Sequence, residues 1–117
     1  KPYGYSIFNL DAMVGLAQLL TINEDNFFTY QTSEGKSLKH GVQFLYPYLK
    51  DKNAWPYKKD VMYWDYWPTK HTSLLFAGLM YKSNDYIETW QRLPSIPNKS
   101  EIVRNMPIRY PLLWINK

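Results

Sequence analysis

Apolar positions recur with a helical period along most of this chain. Over residues 6–20, Ile7, Leu10, Val14 and Ala17 fall on one 3.6-residue stripe, and Phe8, Met13, Leu16, Leu19 and Leu20 widen it. A stripe this wide predicts a helix buried on most sides. The segment "TINEDNFFTYQTSEGKS" then breaks the pattern with polar and turn residues. Gly35 marks a turn there, and Ser37 stands where an N-cap belongs. A second helix is expected over 38–49, with Leu38, Val42, Leu45 and Leu49 on one face and Pro47 kinking or ending it.

Further on, Pro56 and Pro68 bracket a dense aromatic stretch in which residues 60–67 have room for about two helical turns. A cleaner helix is expected over 72–81 with Leu75, Phe76 and Leu79 inward. A last one is expected over 85–92, capped by Ser83 or Asn84. The tail holds one short helical turn, then Pro107 and Pro111 around an extended apolar piece. No pair of segments has a convincing hairpin turn. The expected fold class is all-α, built from antiparallel helix pairs joined by loops.

Composition adds a hint about partners. Aromatic residues make up 18% of the 117, with eleven Tyr and five Trp. That is more than a core of this size buries with every OH and NH satisfied, so some should line a surface or groove. Net charge is +4 and the isoelectric point is about 9.2, which suggests an anionic partner. Acidic polysaccharide and nucleic acid are the two large classes. No Lys/Arg run exceeds two residues, and no nucleic-acid motif is present, so nucleic acid ranks last. With no cysteine, thiol nucleophiles, disulfides and Cys metal sites are excluded. Neither His40 nor His71 has a second histidine at helical spacing, so no helical metal pair exists. There is no phosphate-binding glycine loop and no GxSxG elbow. No apolar stretch is long enough to span a membrane.

Three stretches resemble the alginate lyase family: "YSIFNLDAMVGLAQLL", "GKSLKHGVQFLYPYL", and "WPYKKDVMYWDYW" with the later "NDYIETW". Their order and spacing carry the likeness over most of the chain. The resemblance implies an incomplete toroid of paired helices around a groove. It also implies β-elimination on a uronic-acid polysaccharide, in which an Asn and a His neutralise the substrate carboxylate. A Tyr, with an Arg near it, takes the C5 proton and protonates the leaving oxygen. The position matching that Tyr is Tyr5. Nothing in this chain matches the Asn–His pair, and the Arg would fall before Lys1. The chain is therefore expected to be a single domain of 117 residues or the C-terminal portion of such an enzyme, inactive alone. Family resemblance also implies a periplasmic or secreted bacterial protein that needs no cofactor or metal.

The chemistry sets its own demands. Donors or cations must stabilise the enolate that forms at the carboxylate, and a positioned base and acid must reach C5 and the glycosidic oxygen. A free tyrosine, with a pKa of about 10, is a poor base near neutral pH unless nearby cations favour the phenolate. Lys1 is close in sequence but at a chain end; the missing Arg suits the role better. Without the resemblance, Tyr5 reads as a packing or capping aromatic.

Trp55, Tyr57, Lys58 and Lys59 form a candidate substrate-binding cluster, in which rings stack on sugars and ammonium groups pair with uronates. The plainer reading is that the rings pack a loop and the lysines are solvated. His71 caps or bonds backbone at a helix start, unless it faces the groove beside the aromatic stretch. "WDYW" at 64–67 reads as core packing, and Asn98-Lys99-Ser100 is a chance-prone glycosylation triplet. The rival function is a non-catalytic helical module that holds acidic glycans. The expected partners are an acidic polysaccharide and either the missing N-terminal portion or a second copy, docked on a face carrying Phe8, Val14 and Leu16. Neither nucleic acid nor membrane is expected.

Overall fold

In the computed structural model, which describes residues 2–22 and 25–115, five α-helices run in order: α1 (Pro2–Leu20), α2 (Leu38–Lys50), α3 (Ser73–Met80), α4 (Asn84–Arg92) and α5 (Ser100–Arg104). Short 3-10 turns lie at Lys52–Ala54, Trp64–Tyr66 and Pro111–Trp114. Among the described residues, extended pairing is confined to two isolated bridges, Ile22 with Asp25 and Gln31 with Ser37. The fold is all-α, as the apolar periodicity requires.

Capping chemistry sets the boundaries. The Ser37 hydroxyl accepts the His40 N–H at 3.2 Å and starts α2. Ser83 accepts the Tyr86 N–H at 3.3 Å and starts α4. Gly35, at φ +82°, makes the turn before α2 in a conformation that glycine adopts without strain. Pro47 does not end α2, because its carbonyl still accepts from the Asp51 N–H at 2.9 Å.

The expectation of two helical turns over 60–67 is corrected to a single 3-10 turn at Trp64–Tyr66, entered through Tyr63 at φ 64°. That left-handed residue and the pull of Asp60 toward α1, described below, bend the segment away from a helical path. Leu79 is also not inward: it is 45% exposed, while Leu75 and Phe76 are buried.

The most deeply buried helix is α3, which buries every residue from Ser73 to Gly78 and opens to solvent at Leu79. Helices α1, α2 and α4 pack on it. Gly78 lets α4 approach, since a Cβ there would lie 2.6 Å from Ile87 Cγ1. Helices α2 and α3 cover one side of α1, and the expectation that α1 is buried on most sides is corrected. One face (Tyr3, Ile7, Leu10, Val14, Ala17) is core, and the opposite face leaves Phe8, Met13, Leu16 and Leu20 open. Val14, expected on a docking face with Phe8 and Leu16, is fully buried on the core side.

The connection between α1 and α2 is not merely polar loop. Phe28 is fully buried against Tyr81, with ring centroids 5.9 Å apart, and the Tyr81 hydroxyl donates to Phe28 O at 2.7 Å. Burial, with the nearby Tyr86, pushes the Tyr81 phenol up to about 12. Tyr3 is raised further by burial and by the carboxylates of Asp60 and Asp51. Both lie above an unfolded tyrosine at about 10, so the folded chain keeps protons that the unfolded chain gives up. Their contribution is complete below pH about 10 and is lost as pH rises through about 12. Alkaline unfolding should therefore coincide with the release of tyrosinate absorbance from these two rings. Titration of all the tyrosines near the ordinary value while the fold persists would contradict this.

Candidate functional site

The first turn of a helix leaves backbone N–H groups without partners. In α1 two of them are met from far along the chain. Asp60, 6% exposed, accepts the Tyr3 N–H at Oδ1 (2.8 Å) and the Gly4 N–H at Oδ2 (2.9 Å). Its carboxylate also sits at the positive end of the helix dipole. Asp60 therefore ties the "WPYKKD" segment to the turn that carries Tyr5. Gly4 makes the approach possible: a Cβ there would lie 2.8 Å from Trp67 Nε1 and 3.0 Å from Asp60 Oδ2. Gly4→Ala should lower stability by about 1–3 kcal/mol from overpacking, against about 1 kcal/mol of better helix propensity. Denaturant melts would check this, and a more stable variant would contradict the tight fit.

Around this tie the rings form a nest. Tyr3 is fully buried, and its hydroxyl donates to Tyr48 O at 2.6 Å. Its ring lies 5.0 Å from Trp55 and 5.1 Å from Trp64. Trp55 also meets Tyr48 at 5.4 Å and Tyr57 at 5.1 Å, and its Nε1–H donates to Lys58 O at 3.3 Å. Lys52 closes the far side, with Nζ donating to Trp64 O (3.1 Å) and Trp67 O (2.9 Å).

Trp55, Tyr57, Lys58 and Lys59 thus lie on one anchored loop at the α1 N-terminus. Trp55 is half-buried within it; Tyr57, Lys58 and Lys59 are exposed. Lys59 Nζ lies 5.6 Å from the Trp64 ring centroid. Tyr5 projects from the same end of α1 and is 57% exposed. Lys1 lies outside the described residues.

His71 is placed elsewhere than on a groove. It is 2% exposed and stacks beneath Trp67, with centroids 5.1 Å apart and planes 19° from parallel. Its Nδ1 lies 3.6 Å from Asp11 Oδ2, longer than a hydrogen bond. It neither caps a helix start nor faces the groove. Trp67 separates it from the Gly4 turn, so it supports that turn from within. Asp11 and not His71 is the residue that bonds the start of α3, as its Oδ1 accepts from Thr72 N–H, Thr72 Oγ1–H and Ser73 N–H.

Sequence reasoning missed Asp60, Lys52, Tyr3 and Asp11. Each acts on backbone groups distant in sequence, where no local pattern announces the pairing. Among the described residues no group of three or more His, Asp or Glu side chains is placed to hold a metal ion, and no helix is long and apolar enough to cross a membrane.

Residues 1–55 match the alginate lyase family model. The matched stretch contains α1 with Tyr5, all of α2, and the chain up to Trp55. The alginate lyase likeness is thus shown for the N-terminal part of the chain. The likeness read from "WPYKKDVMYWDYW" and "NDYIETW" lies mostly beyond the matched residues, as do Tyr57, Lys58, Lys59 and His71. No curated protein and no solved structure matches the chain.

Proposed function

We propose that this chain forms part of a polysaccharide lyase that cleaves a uronic-acid-containing, alginate-like polymer by β-elimination, with Tyr5 as the acid/base. The observation that carries the reading is the alginate lyase match over residues 1–55, which contains Tyr5. Tyr5 differs from its neighbour in a way that suits the role. Tyr3 is fully buried, and burial holds its hydroxyl neutral, whereas the Tyr5 ring is 57% exposed. In this reading Tyr57 and Trp55 present ring faces to the sugar, and Lys58 and Lys59 pair with uronate carboxylates. The Asn, His and Arg that complete the reaction are supplied by other helices of the enzyme. Those helices seat on the open face of α1 that carries Phe8, Met13 and Leu16, and the complete enzyme works in the periplasm or outside the cell. By itself the 117-residue chain is expected to release no product and to self-associate through that face; light scattering that shows a stable monomer would contradict the second point.

The exposed Lys58 and Lys59 beside Tyr57 also suit a module that holds acidic glycan without cutting it. One experiment separates the two. The complete enzyme is incubated with alginate and other uronate polymers, and the ultraviolet absorbance of unsaturated chain ends is followed. The lyase reading predicts a steady rise with at least one polymer. Retention of polymer without any rise would favour the binding module.

A further inference from the structure

The C-terminal tail builds a second site with different chemistry. A cleft of about 510 Å³ lies between α4 and the 3-10 turn at Pro111–Trp114. Its walls are Trp90, Ile96, Tyr110 and Leu112, with Lys70 and Arg109 as its cations. Among the described residues, no carboxylate lines it. The Lys70 N–H donates to Pro94 O at 2.9 Å, and its Nζ lies 5.4 Å from the Trp90 ring centroid. Among the described residues, neither Lys70 nor Arg109 forms an ion pair. Trp90 Nε1 is buried and, among the described residues, has no acceptor, although a buried indole N–H ordinarily finds one.

We propose that this cleft binds an aromatic carboxylate. The size falls in the range of small-molecule sites, which pair apolar walls with a few convergent polar groups. An aromatic body covers the exposed edges of Leu112 and Tyr110 and removes apolar surface from water. The carboxylate pairs with the two cations of the cleft, the guanidinium of Arg109 being suited to bidentate pairing. An acidic sugar fits less well, because the Ser95 and Tyr110 hydroxyls are few partners for its several ring hydroxyls, and the rest would face Ile96, Pro111, Leu112 and Leu113. The site shares no residue with the Tyr5 end of α1 and lies beyond the family-matched residues. It does not depend on the lyase reading.

The test follows the five tryptophan indole N–H signals of the isotope-labelled chain by NMR during titration with naphthoate, with the Trp90 signal assigned through Trp90→Phe. Naphthoate should shift the Trp90 signal saturably. Arg109→Gln and Lys70→Gln, both at side chains that reach solvent, should each weaken binding about tenfold, or about 1.4 kcal/mol, without moving the other indole signals. Naphthylmethanol, which lacks the charge, should bind about tenfold more weakly, and galacturonate should leave the Trp90 signal in place. The proposal is overturned if naphthoate leaves Trp90 unmoved, if the neutral analogue binds equally, if both glutamine variants bind like the parent, or if galacturonate shifts Trp90 at the same concentration.

Discussion

Asp11→Ala should destabilise the chain more than any other single change at a polar residue, by about 3 kcal/mol. Asp11 is fully buried on α1, and one of its oxygens accepts three donors at 2.8–3.1 Å from the start of α3. Thr72, at the N-cap position of α3, makes no capping bond of its own. Alanine would leave those donors buried beside His71 with no acceptor, and their desolvation is not recovered. The same change removes a negative charge from the positive end of the α3 dipole. For a domain of this size the melting temperature should fall by roughly 15 °C. Asp11→Asn keeps one carbonyl acceptor and should lose about half as much. Equal stability of the alanine variant and the parent, by denaturant melts, would show that α3 needs no cap from α1.

Tyr5→Phe should have the largest effect on activity. In the complete enzyme it should lower the turnover of uronate polymer by roughly 10²–10⁴-fold, the usual scale of a positioned acid/base. The melting temperature should stay within a degree or two, because a side chain 57% exposed keeps its ring and loses only its hydroxyl. Tyr3→Phe should behave in the opposite sense. Its hydroxyl bridges α1 to the end of α2 through Tyr48 O, so removing it should cost about 1 kcal/mol of stability. Similar activity losses in both variants would point to a common structural role and away from chemistry at Tyr5.

The helices were legible because their signals are local. The 3.6-residue stripe of α1, Ser37 before α2 and Ser83 before α4 each lie within a few residues of what they determine. Which face of α1 would stay open was not legible, because Val14 and Leu16 are equally apolar and only the placement of α3 separates them. The segment at 60–67 defeated periodicity for a related reason. Its path is set by the carboxylate of Asp60 reaching two N–H groups more than fifty residues away. At the candidate site, the cluster of Trp55, Tyr57, Lys58 and Lys59 could be read as one unit because its members are adjacent in sequence. His71 could not be placed, since a histidine before a helix looks the same in sequence whether it faces solvent or stacks beneath Trp67.

The most direct test of the lyase reading uses water labelled with heavy oxygen. The complete enzyme cleaves its uronate polymer in that solvent, and the products are weighed by mass spectrometry. β-Elimination breaks the C–O bond without adding water, so unsaturated ends that carry no label are expected. Labelled, saturated ends would show hydrolysis and contradict it.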